Sequence, residues 1–288
     1  MKILQLSIPT AALALAFAIS LPPDSAGFTL ISGNVLGETQ RDFRIFNNFT
    51  AAGANNNLTP DANFPGYFGA DMAIWKGSIE WASRLHGDGN GDVHQPGGLG
   101  SGNANFDPTF QGSALDVGNS NQNIHSQIGG NGGGVLAFAE GPSNNGWRIR
   151  YYENISWRDG PGLIASGFDL QSVACHEYGH ALGLGHTGVS GSTMLPSIGG
   201  GQEFARSIGP DDIAGCQARY GVADPGKPII SNVVSSGAQL TISGSNFDAS
   251  NNAVWFTKEA AGGTGTDGGP IKAPNVASSA GGTQIVVN

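Results

Sequence analysis

Eleven consecutive residues constrain this chain more than any other stretch: His176-Glu177-Tyr178-Gly179-His180-Ala181-Leu182-Gly183-Leu184-Gly185-His186. His176 and His180 stand four apart, so on a helix they leave the same face, one turn above the other. Two imidazoles placed this way can share a zinc ion. Glu177 cannot ligate with them from that face, but it can reach a water held by the metal. Gly183 falls where the helix must stop, because a residue without Cβ can take a left-handed conformation and turn the chain back. That turn lets His186 supply a third ligand. Three protein ligands leave one position of a tetrahedral zinc open, which marks a catalytic site rather than a structural one. The short His-Glu-x-x-His pattern arises readily by chance. Chance explains poorly five fixed positions in eleven that hold three of the chain's six histidines. The alternative is a buried helix that happens to carry surface histidines.

The surrounding composition suits a frame of turns and strands. Only 12% of the 288 residues are charged and 47 are glycine, so long loops and β-structure are expected over long helices. The formal net charge of −9 argues against nucleic acid or an anionic membrane as partner, since both attract a basic patch. Residues 1–26 read as an export signal and leader: Lys2, an apolar run from Ile8 to Ile19, and small residues for cleavage at Ala16-Phe17-Ala18 or Ala26. A membrane anchor is the competing reading, but the run is short for a span. The mature chain is therefore expected to be secreted, without a membrane span, and monomeric. In an oxidising compartment Cys175 and Cys216 could pair. Otherwise they are two buried thiols acting as small hydrophobes.

Taken in order, Phe28 to Val35 shows no pattern, and Asp42 to Thr50 alternates like a first strand. Gly69 to Leu85 reads as an amphipathic helix with Met72, Trp75, Ile79 and Ala82 on its inner stripe. A glycine-rich loop follows and runs on through polar sequence, including His125, as far as Gly134. Within it, Asp88, Asn90 and Asp92 alternate with glycines like the start of a calcium loop. Val93 and Leu99 exclude an EF-hand, which leaves either a solvated turn or a Ca²⁺ site on those three residues. Gly134 to Glu140 and Trp147 to Tyr152 read as strands joined by a turn at Gly141 to Gly146, with Ile155 to Trp157 following. Asp169 to Ala174 leads into the histidine helix. A last helix starts at Pro210, where a missing N–H costs nothing. Asp211 and Asp212 lie at its positive end, and Gly221 is a natural stop. Residues 223–227 look like a linker. Beyond it Ile229–Val234, Gln239–Ile242, Ala253–Thr257 and Thr283–Val287 read as short strands.

The extended histidine motif resembles that of the metzincin zinc proteases. Met194, in Ser192-Thr193-Met194-Leu195-Pro196, fits the methionine turn that lies beneath the metal in that group. Leu170 to Ala174, Leu136 to Ala139 and the run from Asp211 to Gly221 narrow the resemblance to matrixin-like proteases over roughly residues 40–222. The resemblance implies an α+β fold, a twisted mixed sheet with an active-site helix and a C-terminal helix. It implies a zinc-dependent endopeptidase in which His176, His180 and His186 hold one catalytic Zn²⁺ and Glu177 is the general base. Gly183 and Met194 would support the site. An extended peptide or protein substrate would pair with the edge strand at Leu136 and Ala137, and Pro196 would wall the pocket after the cut. Three departures stand out. Phe138 occupies the place of a histidine that ligates the family's structural zinc, so that zinc is expected to be absent. No cysteine precedes Cys175 to cap the metal. Acidic calcium ligands are also largely missing between residues 141 and 153. Residues 228–288 resemble an immunoglobulin-like IPT/TIG module, through Pro228-Ile229-Ile230, Leu240 to Phe247 and Val254-Trp255-Phe256, with closing strands still wanting. Two rivals remain for the function: a secreted, non-catalytic surface-binding protein, and a zinc hydrolase of a small amide or a non-protein polymer.

Overall fold

A computed structural model of the chain describes residues 27–256 and 271–288, apart from residues 32, 62, 65, 84–99, 101 and 144–145. Five strands form one mixed sheet: β1 (Phe43–Phe46), β2 (Phe110–Ser113), β3 (Ile124–Ile128), β4 (Ala137–Ser143) and β5 (Gly146–Tyr152), in the spatial order β2-β1-β3-β5-β4. The first four positions are parallel, and β4 closes the sheet antiparallel to β5, with Ala137 opposite Tyr151 and Phe138 opposite Arg150. β4 is therefore an edge, with one row of backbone groups facing away from the sheet. Alternation in β5 sends Trp147, Ile149 and Tyr151 inward, fully buried, and leaves Arg148, Arg150 and Tyr152 on the outer face.

Two helices cover the inner face, α1 (Gly69–Ile79) and α2 (Leu170–Ala181), and α3 (Pro210–Tyr220) closes the domain. α1 is not the amphipathic helix expected. Ala70, Met72, Ala73, Ile74, Lys76 and Ile79 are all buried, so it is enclosed on nearly every side, as a helix between two layers must be. It also ends at Ile79. Ala82 is buried beyond its end, and Leu85 lies outside the described residues.

The loop expected from Gly102 to Gly134 is instead the source of β2 and β3, and β3 is central to the sheet. Its polar residues are buried, which hides the strand's alternation; several meet partners from other elements, while Ser126 Oγ and Gln127 Nε2 find none in the protein. His125 meets Ser78 Oγ at 3.3 Å and Tyr151 Oη at 2.9 Å. Gln127 Oε1 accepts from Thr50 N at 3.1 Å and lies 3.3 Å from Thr50 Oγ1. The strand expected at Gly134 begins later, at Ala137, after a tight turn at Gly132–Gly134, and it continues to Ser143 through the expected turn. The patternless leader pairs: Thr29 and Leu30 lie antiparallel to Gly185 and Leu184. Cys175 and Cys216 are free and buried, so the bridge is not formed and the small-hydrophobe reading holds.

After residue 228 the described chain is all-β. β6 (Ile229–Ser236), β7 (Gln239–Ser245), β10 (Ser278–Ser279) and β11 (Gln284–Val287) form one sheet in the order β6-β7-β11-β10. β8 (Asn252–Phe256) and β9 (Ile271–Val276) form a second. β9 and β10 are strands that the sequence did not announce. The buried core here is Ile242, Phe247 and Ile285, separate from the large core of the preceding domain.

Candidate metal centre and cleft

The site is built on α2. Asp169 caps its start, with Oδ2 accepting from Ser172 N at 2.8 Å and from Ser172 Oγ at 2.7 Å. Gly183 ends it at φ +95°, in the region that only glycine enters without strain. A Cβ there would also collide with the Arg219 guanidinium. The reversed chain runs through Leu184 and Gly185 to His186. Its carbonyls are held from two directions. Tyr220 Oη donates to Leu182 O at 3.0 Å, Arg219 Nη2 donates to Gly183 O at 3.3 Å, and Ile31 N donates to Gly183 O at 3.0 Å.

His176, His180 and His186 converge on one point, the one group of such side chains among the described residues that could hold an ion. His186 Nε2 lies 3.2 Å from His180 Nε2 and 3.3 Å from His176 Nε2. What each of these nitrogens offers depends on its tautomer. His176 Nδ1 faces Thr193 O at 2.7 Å and His180 Nδ1 faces Leu184 O at 2.8 Å. A carbonyl only accepts, so both Nδ1 atoms carry the proton and both Nε2 atoms present a lone pair. Bare lone pairs crowded together call for a cation between them. Nitrogens about 2.0–2.1 Å from one tetrahedral zinc stand roughly 3.3 Å apart, so the donor set fits that ion. Burial, first, and the neighbouring imidazoles push His176 down to about 3, against a pull upward from the Thr193 carbonyl. His180 is also lowered, chiefly by burial. Both rings thus stay neutral and able to ligate.

Glu177 is buried beside them. Burial raises its carboxyl to about 8, opposed by a backbone hydrogen bond from Ala139 of the edge strand. A dication alongside acts in the same downward direction as that hydrogen bond. Oε2 of Glu177 has no protein partner. Met194 is buried, with its sulfur packed under the helix at Gly179, where a Cβ would collide with Met194 Sδ and lie 2.7 Å from Trp81 Cζ2. The turn bearing Met194 is organised by Asp212, the third residue of α3. Its carboxylate accepts from Thr193 N at 2.8 Å, Gly209 N at 2.7 Å, Met194 N at 3.3 Å and the Ser192 hydroxyl. Asp212 thus does more than complement the dipole of its own helix. Nothing short of the fold shows that its side chain turns back to Met194.

Above the histidines lies a cleft of about 650 Å³. Leu136 and Ala137 border it on the edge-strand side and Pro196 on the other, so the three residues expected to meet substrate share one cavity with the histidines and Glu177. Leu136 lies just before β4 rather than within it. Sequence reasoning missed Phe168, Phe204 and Ile31, which also line the cleft. Asp88, Asn90 and Asp92 lie outside the described residues.

Residues 113–221 match the family model described as Matrixin. Over 93 residues, 32% of this chain and 16% of the relative, the sequence is 40% identical to matrix metalloproteinase-19 of Mus musculus. It is 42% identical to matrilysin of Rattus norvegicus over 85 residues, 30% of each protein. It is 41% identical to metalloendoproteinase 5-MMP of Arabidopsis thaliana over 96 residues, 31% of this chain and 26% of that protein. The match spans less than a third of the length of each of these relatives.

Proposed function

Taking as premise that residues 113–221 form a matrixin-like metalloprotease domain, we propose that the chain is a secreted zinc-dependent endopeptidase. The observation that carries this is the convergence of three imidazole Nε2 atoms beside a buried carboxylate, at the floor of a cleft bordered by a sheet edge. His176, His180 and His186 hold the ion, and Thr193 O and Leu184 O fix the tautomers of the first two. When bound, zinc supplies Lewis acidity at the scissile carbonyl and lowers the pKa of water. Glu177 takes up the proton so released on its carboxylate and passes it to the leaving amine. Ala137 offers backbone groups to an extended peptide, as sheet edges do, whereas the Leu136 carbonyl accepts from Tyr152 N at 3.0 Å and faces the sheet, so Leu136 meets the substrate only as part of the cleft lining. Pro196 walls the pocket beyond the cut bond. Gly183 and Met194 act only by holding the ligands in place.

One metal per chain belongs to this proposal. Phe138 and Arg150 stand opposite each other on the outer face of the sheet, and an aromatic ring facing a guanidinium offers a cation no ligand. The same proposal places a signal and leader at residues 1–26, outside the described residues, the protease domain at 27–222, a linker at 223–227 and an IPT/TIG-like unit at 228–288. No helix among the described residues is long and apolar enough to cross a membrane.

The test pairs metal analysis of the purified protein with casein hydrolysis, with and without a chelator. One zinc per chain and chelator-sensitive cleavage are expected. Zinc without cleavage of casein would favour a hydrolase of another substrate, and no zinc would favour a binding protein.

A further inference from the structure

The most deeply buried ion pair in the described residues lies outside the metal centre. Asp169 and Arg206 both have no exposed side-chain surface. Arg206 Nε donates to Asp169 Oδ2 at 2.8 Å and Nη2 donates to Oδ1 at 2.6 Å, a two-pronged pairing. The rest of the guanidinium donates to Pro161 O at 2.7 Å and Gly162 O at 3.3 Å. One carboxylate therefore caps α2 and anchors the short helical turn Phe204–Arg206 at once.

The neighbours of both partners face the cleft. Phe168, Ser172 and Val173 flank Asp169 and its capped turn, and Phe204 and Ala205 precede Arg206. All five line the same cavity. Ala205 O also accepts from Thr193 Oγ1 at 2.8 Å, and Thr193 O orients His176. The pair thus fixes the distance between the helix that bears the ligands and the apolar wall that faces it. Resting on the endopeptidase reading above, we propose that the Asp169–Arg206 pair is a positioning device. It sets the width of the pocket that receives the side chain following the cut bond, and so the size of side chain admitted there.

A lysine at 206 keeps the charge but cannot make the forked contact or span to Pro161 and Gly162. Asparagine at 169 with methionine at 206 keeps a helix cap and removes both charges together, so no lone buried charge threatens folding. The test uses two peptides identical except for Leu or Trp immediately after the cut, and a second pair differing only before it. In the zinc-loaded wild type, kcat/KM is expected to favour Leu by about tenfold or more, the range that pocket shape commonly supplies. Arg206→Lys and the double variant Asp169→Asn/Arg206→Met are expected to abolish most of that preference while keeping their zinc and leaving the second pair's ratio unchanged. Affinities of the same peptides for a Glu177→Ala background, by calorimetry, read the pocket when no bond is cut and should shift in the same way. The proposal is overturned if the Leu-to-Trp ratio survives in both variants, if wild type shows no such ratio, or if both peptide pairs shift alike. Should wild type cleave neither peptide while the Glu177→Ala form still discriminates between them, the endopeptidase reading fails. The affinity ratios of the variants then decide the pocket proposal by the same criteria.

Discussion

Single side chains carry the chemistry, and several of them can be tested alone. Glu177→Ala should keep one zinc and lose hydrolysis by about 10²–10⁴-fold, the usual contribution of a positioned acid–base group. Full activity with bound metal would assign the base elsewhere. Gly179→Ala adds a methyl where Met194 Sδ and Trp81 already press on the helix. Overpacking of this kind costs about 1–3 kcal/mol, readable as a lower melting temperature and weaker zinc retention. His125 offers a pH prediction independent of the metal. Burial holds its imidazole down at about 3, whereas an unfolded histidine titrates near 6.5. Between these values the unfolded chain takes a proton that the folded chain refuses. Stability is therefore complete above about 6.5 and falls by up to about 1.4 kcal/mol per unit as the pH drops through that window. Denaturant unfolding at pH 7 and pH 4.5 should show the loss in wild type and a smaller loss in His125→Gln. At this scale the gathering of the three histidines and Glu177 at one cleft, with Met194 packed beneath their helix, was legible from the spacing of the motif. Arg206 and Asp212 were not, because a buried side chain that caps or braces can be almost any polar residue whose partners arrive from elsewhere in the chain.

Elements were legible in proportion to how far their own sequence decides them. α2 and α3 were readable at the sequence level. α3 in particular carries its start at Pro210 and its stop at Gly221, where φ is +82°. β3 was hidden because its pairing with β1 and β5, not its alternation, makes it a strand. α1 was found but misjudged, since burial on all sides comes from the layers around it. The coupling of α3 to the methionine turn yields an element-scale prediction. Asp212→Ala strips the acceptor from several buried donors, each costing about 1–3 kcal/mol when left unmet. Burial holds the Asp212 carboxyl above its ordinary value, opposed by hydrogen bonds led by Ser192. The variant should melt at a much lower temperature and release zinc more readily, with Asp212→Asn intermediate. Equal melting of all three forms would detach the turn from the helix.

The whole molecule holds two unequal cores. The first gathers residues from Leu36 to Cys216, whereas the second is centred on Ile242, Phe247 and Ile285. Between them Lys227 pairs with Asp107, and Asn246 Nδ2 donates to Pro225 O at 3.2 Å and Lys227 O at 3.1 Å. Calorimetry should show two transitions, the smaller one belonging to residues 228–288 and unmoved by chelation, because the one three-histidine group among the described residues lies in the first unit. A single metal-sensitive transition would show that the units fold as one. The all-β character of the C-terminal part was legible from the change in pattern after residue 222. The pairing of the leader with the third-ligand turn was not, since Thr29 and Gly185 lie too far apart for any local signal. That pairing has a consequence for biosynthesis. The turn bearing His186 is clasped by residues 29–31 from one extremity of the domain and by Arg219 and Tyr220 from the other. A chain growing on the ribosome has the first clasp early but gains the second only once residue 220 has emerged. The turn that carries the third histidine is thus the last part of this unit to be held on both sides as the chain is made.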